Sequence, residues 1–130
     1  PVALVLLRRL ARRPEAPVRA RAFDVLYNLA VHSENQRRIG NSGGLELILK
    51  AMEMHKDDRN VQYRGCGAVS NLAKTRGNEL QITRLGGLAT VVESMRRHSE
   101  DSGVAYRGCC AMWNLCSINS GNITNSSIRN

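Results

Sequence analysis

Apolar residues recur along the chain at helical spacing, and the whole pattern repeats. Leu45, Ile48, Leu49 and Met52 fall on one face of a predicted helix. Leu88, Val91, Val92 and Met95 take the same places 43 residues later. A second kind of face is marked by Val61, Cys66, Val69 and Leu72, then by Val104, Cys109, Met112 and Leu115 at the same offset. Polar segments, Lys56 to Arg59 and Ser99 to Ser102, separate the two kinds of helix. In them Asp58 and Asp101 are the predicted N-caps, while Pro17 suits the first turn of the corresponding earlier helix. Gly43-Gly44 and Gly86-Gly87 allow sharp turns. A short helix is predicted before each pair, over about Ser33–Asn41 and about Gly77–Leu85. Ser33 and Gln36 have the spacing of a capping box.

The repeat is clearest where Arg64-Gly65-Cys66-Gly67-Ala68-Val69-Ser70-Asn71-Leu72-Ala73 superposes on Arg107-Gly108-Cys109-Cys110-Ala111-Met112-Trp113-Asn114-Leu115-Cys116. The same shift backward reaches Arg21-Ala22-Phe23-Asp24-Val25-Leu26-Tyr27-Asn28-Leu29-Ala30, and no gap is needed from Pro1 to Leu115. Ala22, Gly65 and Gly108 are small where neighbouring helices must approach closely. A glycine inside a helix costs up to about 1 kcal/mol against alanine, so its recurrence points to packing. One period of three helices cannot bury its own faces, whereas stacked periods can. The expected organisation is one all-α domain: a partial period over 1–31, full periods over 32–74 and 75–117, and the start of another over 118–130. Thr124 to Ile128 repeats the spacing of Asn35–Ile39, which implies a three-residue insertion around Ser117–Ile123. Such a slice of a longer array lacks capping periods, and its apolar ends favour end-to-end association.

A 43-residue, three-helix period with a Gly-Gly turn and the ending Asn71-Leu72-Ala73 resembles the armadillo repeat, in particular regular protist-type armadillo arrays. The resemblance covers nearly the whole chain. It implies a right-handed α-solenoid whose third helices line a concave groove for an extended peptide. The family's ladder asparagine matches Asn28, Asn71 and Asn114, which implies clamps on a peptide backbone, since a carboxamide both donates and accepts. The chain departs from nuclear-import members of the family. Their pocket tryptophan, four residues before the ladder asparagine, is replaced by Asp24, Gly67 and Cys110, and Trp113 stands directly before Asn114. Binding of nuclear-localisation signals is therefore not implied.

Charge narrows the ligand. Lys and Arg number 19 against 11 Asp and Glu, a net charge of +8, and sixteen of the nineteen are Arg. A basic chain attracts anions, and guanidinium suits bidentate contact with carboxylate or phosphate. Arg21, Arg64 and Arg107 each stand seven residues before a ladder asparagine, two helical turns away on the same face. Peptide-binding arrays of the family hold Glu at a related position and pair it with basic ligands. The inversion to Arg predicts an acidic or phosphorylated peptide. Against it stands the reading in which each Arg is already neutralised by a neighbouring carboxylate. Tyr63, Tyr106 and Trp113, with Tyr27, serve either as aromatic contact area or as core. A second reading is a basic helical repeat that binds nucleic-acid phosphates, although only 4% of residues are aromatic and stacking readers need more. A third is a regulatory armadillo segment of a larger signalling enzyme.

No catalysis is expected of these residues. Ser, His and Asp are scattered, the glycine pairs are turns and not phosphate loops, and the cysteines lack zinc-module spacing. No metal or cofactor is expected. Cys66, Cys109, Cys110 and Cys116 read as reduced, mostly buried thiols of an intracellular, foremost cytoplasmic, protein. His55 and His98, one period apart, are expected at helix C-termini, where imidazole interacts favourably with the dipole. No apolar run approaches the ~18–20 residues of a membrane span.

Overall fold

The computed structural model describes residues 2–129, and side chains over 3–117. Among these residues the chain is all-helical, with no strand. Its elements are α1 (Val2–Ala11), α2 (Ala16–Leu29), α3 (Ser33–Asn41), α4 (Gly44–Met54), α5 (Arg59–Leu72), α6 (Asn78–Arg84), α7 (Gly87–Arg97) and α8 (Ser102–Arg129). α5 packs between α2 and α8, and α4 contacts α1 and α7. Helices of equivalent sequence thus lie beside one another in two rows.

Local chemistry sets the boundaries. Gly43 and Gly86 both have φ 79°, the left-handed region, and cap α4 and α7. The second glycine of each pair serves a different need. A Cβ on Gly44 would lie 2.9 Å from the Ile39 carbonyl oxygen, and one on Gly87 the same distance from that of Ile82. Asp58 Oδ1 accepts from the backbone N–H groups of Asn60 (3.0 Å) and Val61 (3.2 Å) at the start of α5. Asp101 accepts from the Val104 N–H at 3.0 Å at the start of α8. A hydrogen bond from Arg59, followed by the backbone bond, holds the Asp101 carboxyl down to about 2. Pro17 lies in the first turn of α2.

The capping box does not form. His32 is the N-cap of α3 and makes no side-chain cap bond. Gln36 is buried instead. Its Nε2 donates to the Ala30 carbonyl at 2.8 Å, and its Oε1 accepts from Thr75 Oγ1 at 2.7 Å. A carbonyl stranded at the C-terminus of α2 needs a donor, and that need outranks a cap that water can replace.

Phe23, Leu26, Leu45, Ile48, Met52, Leu72, Ile82 and Leu115 are among the fully buried side chains of the core. Gly65 and Gly108 admit methionines: an added Cβ would lie 2.7 Å from Met52 Cγ and 2.5 Å from Met95 Cγ. Burial declines in the last full period. Leu49 and Cys66 are buried, while their counterparts Val92 and Cys109 are exposed, and Leu88, Met95 and Met112 are half-buried. α7 and α8 cover α4 and α5, but no described side chain covers the far side of α7 and α8. All four cysteines are free, yet only Cys66 is buried; Cys109 and Cys116 are exposed and Cys110 is half-buried. Burial pushes the Cys66 thiol up to about 11. α8 continues without the break expected around Ser117–Ile123. That stretch holds one Gly and no Pro to break the helix. The side chains of 118–130 lie outside the described residues.

Candidate functional site

α2, α5 and α8 bring together the residues marked by the repeat. Arg21 and Arg64 converge on one carboxylate. Arg21 Nη1 donates to Asp24 Oδ2 at 3.1 Å, and Arg64 Nε donates to Asp24 Oδ1 from the neighbouring helix. Arg21 is 85% exposed, whereas Arg64 is mostly covered and its Nη1 is buried without a partner. Asp24 is not repeated, since its counterparts are Gly67 and Cys110.

Arg107 has no carboxylate partner among the described residues and takes a different environment. Its guanidinium carbon lies 3.7 Å from the ring centre of Tyr63 and 4.3 Å from that of Tyr27. Cation–π contacts of this kind contribute about 0.5–2 kcal/mol each. They hold the side chain and leave its charge uncancelled. Nη1 also lies 3.4 Å from the Tyr63 carbonyl, a long hydrogen bond. Gly67 makes room for the stack: a Cβ there would lie 2.8 Å from the Tyr27 ring and 2.9 Å from Arg107 Nη1. The face therefore carries three guanidinia against one carboxylate. The neutralised reading holds for Arg64, holds in part for Arg21, and fails for Arg107.

The three ladder asparagines have different surroundings. Asn114 Nδ2 donates to the Ser70 carbonyl at 2.8 Å and approaches Ser70 Oγ at 3.2 Å. Its donor side is spent on α5, and its carbonyl oxygen remains. Asn28 is exposed and Asn71 half-buried; no equivalent bond joins Asn71 to α2 among the described residues. Tyr63 is half-buried beneath Arg107, with Arg59 4.7 Å from its ring centre. Tyr106 and Trp113 are 72% and 73% exposed, so neither is core. The sequence reading missed the Tyr27–Arg107–Tyr63 stack and the sharing of Asp24. The signal was present in the substitution of Asp24 by Gly67, which removes an acid and opens space in one change.

His55 and His98 stand at the C-termini of α4 and α7. His98 Nε2 lies 2.8 Å from the Lys56 carbonyl, a hydrogen bond. Burial, then the Arg19 guanidinium, pushes His55 below the usual imidazole range. Arg19 is fixed there by Asp58, at 2.9 Å. The unfolded chain then takes up a proton near pH 6.5 that the folded chain resists. The melting temperature is expected to fall as pH drops from 7 to 5, and His55→Gln to flatten that fall.

A cleft of about 410 Å³ opens between α4 and α7, beside Glu53, Glu93 and Arg97. Glu93 pairs with Arg96 at 2.7 Å, and the buried Gln62 amide donates to the Met52 and His55 carbonyls. No group of three metal-ligating side chains occurs among the described residues, and no described helix is long and apolar enough to cross a membrane. No family model, curated protein or solved structure matches the chain.

Proposed function

We propose that this chain is a segment of a right-handed armadillo-type α-solenoid that binds an extended acidic or phosphorylated peptide and performs no catalysis. The reading rests on one observation: one arginine per period on three adjacent helices, with a single carboxylate among them. Adjacent packed helices lie about 8–10 Å apart, and an extended peptide advances about 3.3 Å per residue. Each helix then meets two or three ligand residues. Arg107 supplies a fixed, uncancelled cation, Arg21 an exposed one that shares Asp24, and Asn71 a carboxamide for the peptide backbone. Arg64 is an internal tie through Asp24.

Binding of extended peptides graded by charge tests this, with Arg21→Glu and Arg107→Gln in one protein. A charge-assisted hydrogen bond contributes about 1.5–3 kcal/mol, so the double variant is expected to weaken acidic-peptide binding about tenfold or more. Equal binding by parent and variant removes the proposal. Binding insensitive to peptide sequence, but lost steeply with salt and shared by single-stranded RNA, favours phosphate recognition instead.

A further inference from the structure

We propose that the edge formed by α3, α6 and the turns leading into them binds a membrane surface rich in anionic headgroups, as a peripheral contact. This is independent of the groove face and its ligand. The two ends of α5 differ in charge balance. At its N-terminal end, and at those of α2 and α8, cations are matched: Arg13 pairs with Glu15, Arg19 with Asp58, Arg59 with Asp101 and Arg97 with Asp57. At the other end the match is lost. Arg37, Lys74, Arg76 and Arg84 are exposed there, and none pairs with a carboxylate among the described residues. Arg38 meets Glu34 at 3.1 Å across one exposed helical turn, a contact of little strength. The one other acid of this edge, Glu79, is fully buried. Five cations thus face solvent against one acid.

The edge is continuous, because Asn78 Nδ2 on α6 donates to the Gln36 carbonyl of α3 at 3.0 Å. Apolar side chains stand among its cations. Val31, Leu80 and Leu85 are exposed. Leu80 and Arg84 are one turn apart on α6, and Leu85 follows at its end. This exposure does not depend on where the chain stops. Lys74, Arg76, Leu80, Arg84 and Leu85 match Val31, Ser33, Arg37, Asn41 and Ser42 one period earlier. The later period packs on that one, and all five of the earlier residues stay exposed. Stacking of periods therefore leaves this edge open. A lipid surface suits it better than a nucleic-acid strand. Strand binders add aromatic stacking to their cations, and this edge has no Phe, Tyr or Trp. Aliphatic side chains beside Lys and Arg suit the headgroup boundary, where cations meet anionic lipid and leucine leaves water. Each cation near such a surface strengthens binding about fivefold.

Vesicle flotation tests this. The chain is expected to bind vesicles of equal parts phosphatidylcholine and phosphatidylserine, and to leave vesicles of phosphatidylcholine alone. Arg76→Glu with Arg84→Glu is expected to weaken binding about tenfold or more. Leu80→Ser with Leu85→Ser is expected to weaken it severalfold with the charge kept. Arg12→Glu with Lys56→Glu makes the same change of net charge at the opposite edge, on two exposed side chains, and is expected to bind as the parent does. Each variant is checked for helicity. Equal loss in the two charge variants would mean that net charge alone is read, and overturns the proposal. So does a parent chain that ignores the anionic vesicles at low salt. Binding that ignores the leucines and is matched by single-stranded RNA also overturns it, and makes the edge a phosphate-backbone surface.

Discussion

Gly87→Ala and Gly44→Ala are each expected to destabilise the fold by about 2–4 kcal/mol, read as a lower urea midpoint with an unchanged slope. The new methyl group meets the Ile82 or Ile39 side chain and lies 2.9 Å from that residue's carbonyl oxygen. A side-chain tip could swing aside; a backbone carbonyl at the end of a helix cannot. Relief requires α6 and α7, or α3 and α4, to move apart, which loosens Ile82 or Ile39 in the core. Gly86→Ala is the control. Gly86 has φ 79° but nothing within 4 Å of an added Cβ, so only the backbone term is lost, about 1–2 kcal/mol. If Gly87→Ala proves no worse than Gly86→Ala, the close approach is not what the second glycine provides.

Glu79→Gln is expected to stabilise the protein by about 1–3 kcal/mol at neutral pH. Glu79 is fully buried on α6, and neither carboxyl oxygen has a partner among the described residues. Its counterpart one period earlier is Gln36, whose amide donates to the Ala30 carbonyl. The equivalent acceptor here is the Ala73 carbonyl. A carboxyl carries no N–H for that bond, whereas the glutamine amide carries two. Glu79→Leu separates two effects, because it removes the buried, unpartnered carboxyl oxygens without restoring the donor. The order expected in melting temperature is Gln above Leu, with the parent lowest. A parent that melts above Glu79→Gln would mean that the carboxylate has found a donor.

The helices and their turns were legible in the sequence because they follow from local chemistry repeated in register. Asp58 and Asp101 cap, the glycine pairs turn, and Val61, Val69 and Leu72 are buried as their spacing predicts. Misjudged positions depended on what lies across a helix pair. Gln36 could cap its own helix or serve its neighbour, and only packing decides between them. Val92 and Cys109 have the spacing of core residues, yet periodicity names a face without saying what covers it. The candidate site was half legible. The places of Arg21, Arg64 and Arg107 came from the repeat, but their electrostatic states came from Asp24, Tyr27 and Gly67. Asp24 and Gly67 stand at one place of the period and Tyr27 at another, and the repeat keeps neither place constant.

In a stack of repeats each unit touches only its neighbours, and stability is nearly a sum of unit and nearest-neighbour contributions. The Tyr27–Arg107–Tyr63 stack departs from that rule. Arg107 on α8 reaches past α5 to a ring on α2, so the first and last periods share a contact that skips the one between them. Such a next-nearest-neighbour coupling penalises states in which one end frays while the other stays ordered. Opening of α2 exposes Arg107 as well as Tyr27, and slow hydrogen exchange in α8 becomes partly a property of α2. The same side chain that supplies the candidate site with its cation thereby makes three adjacent helices open more nearly as one unit.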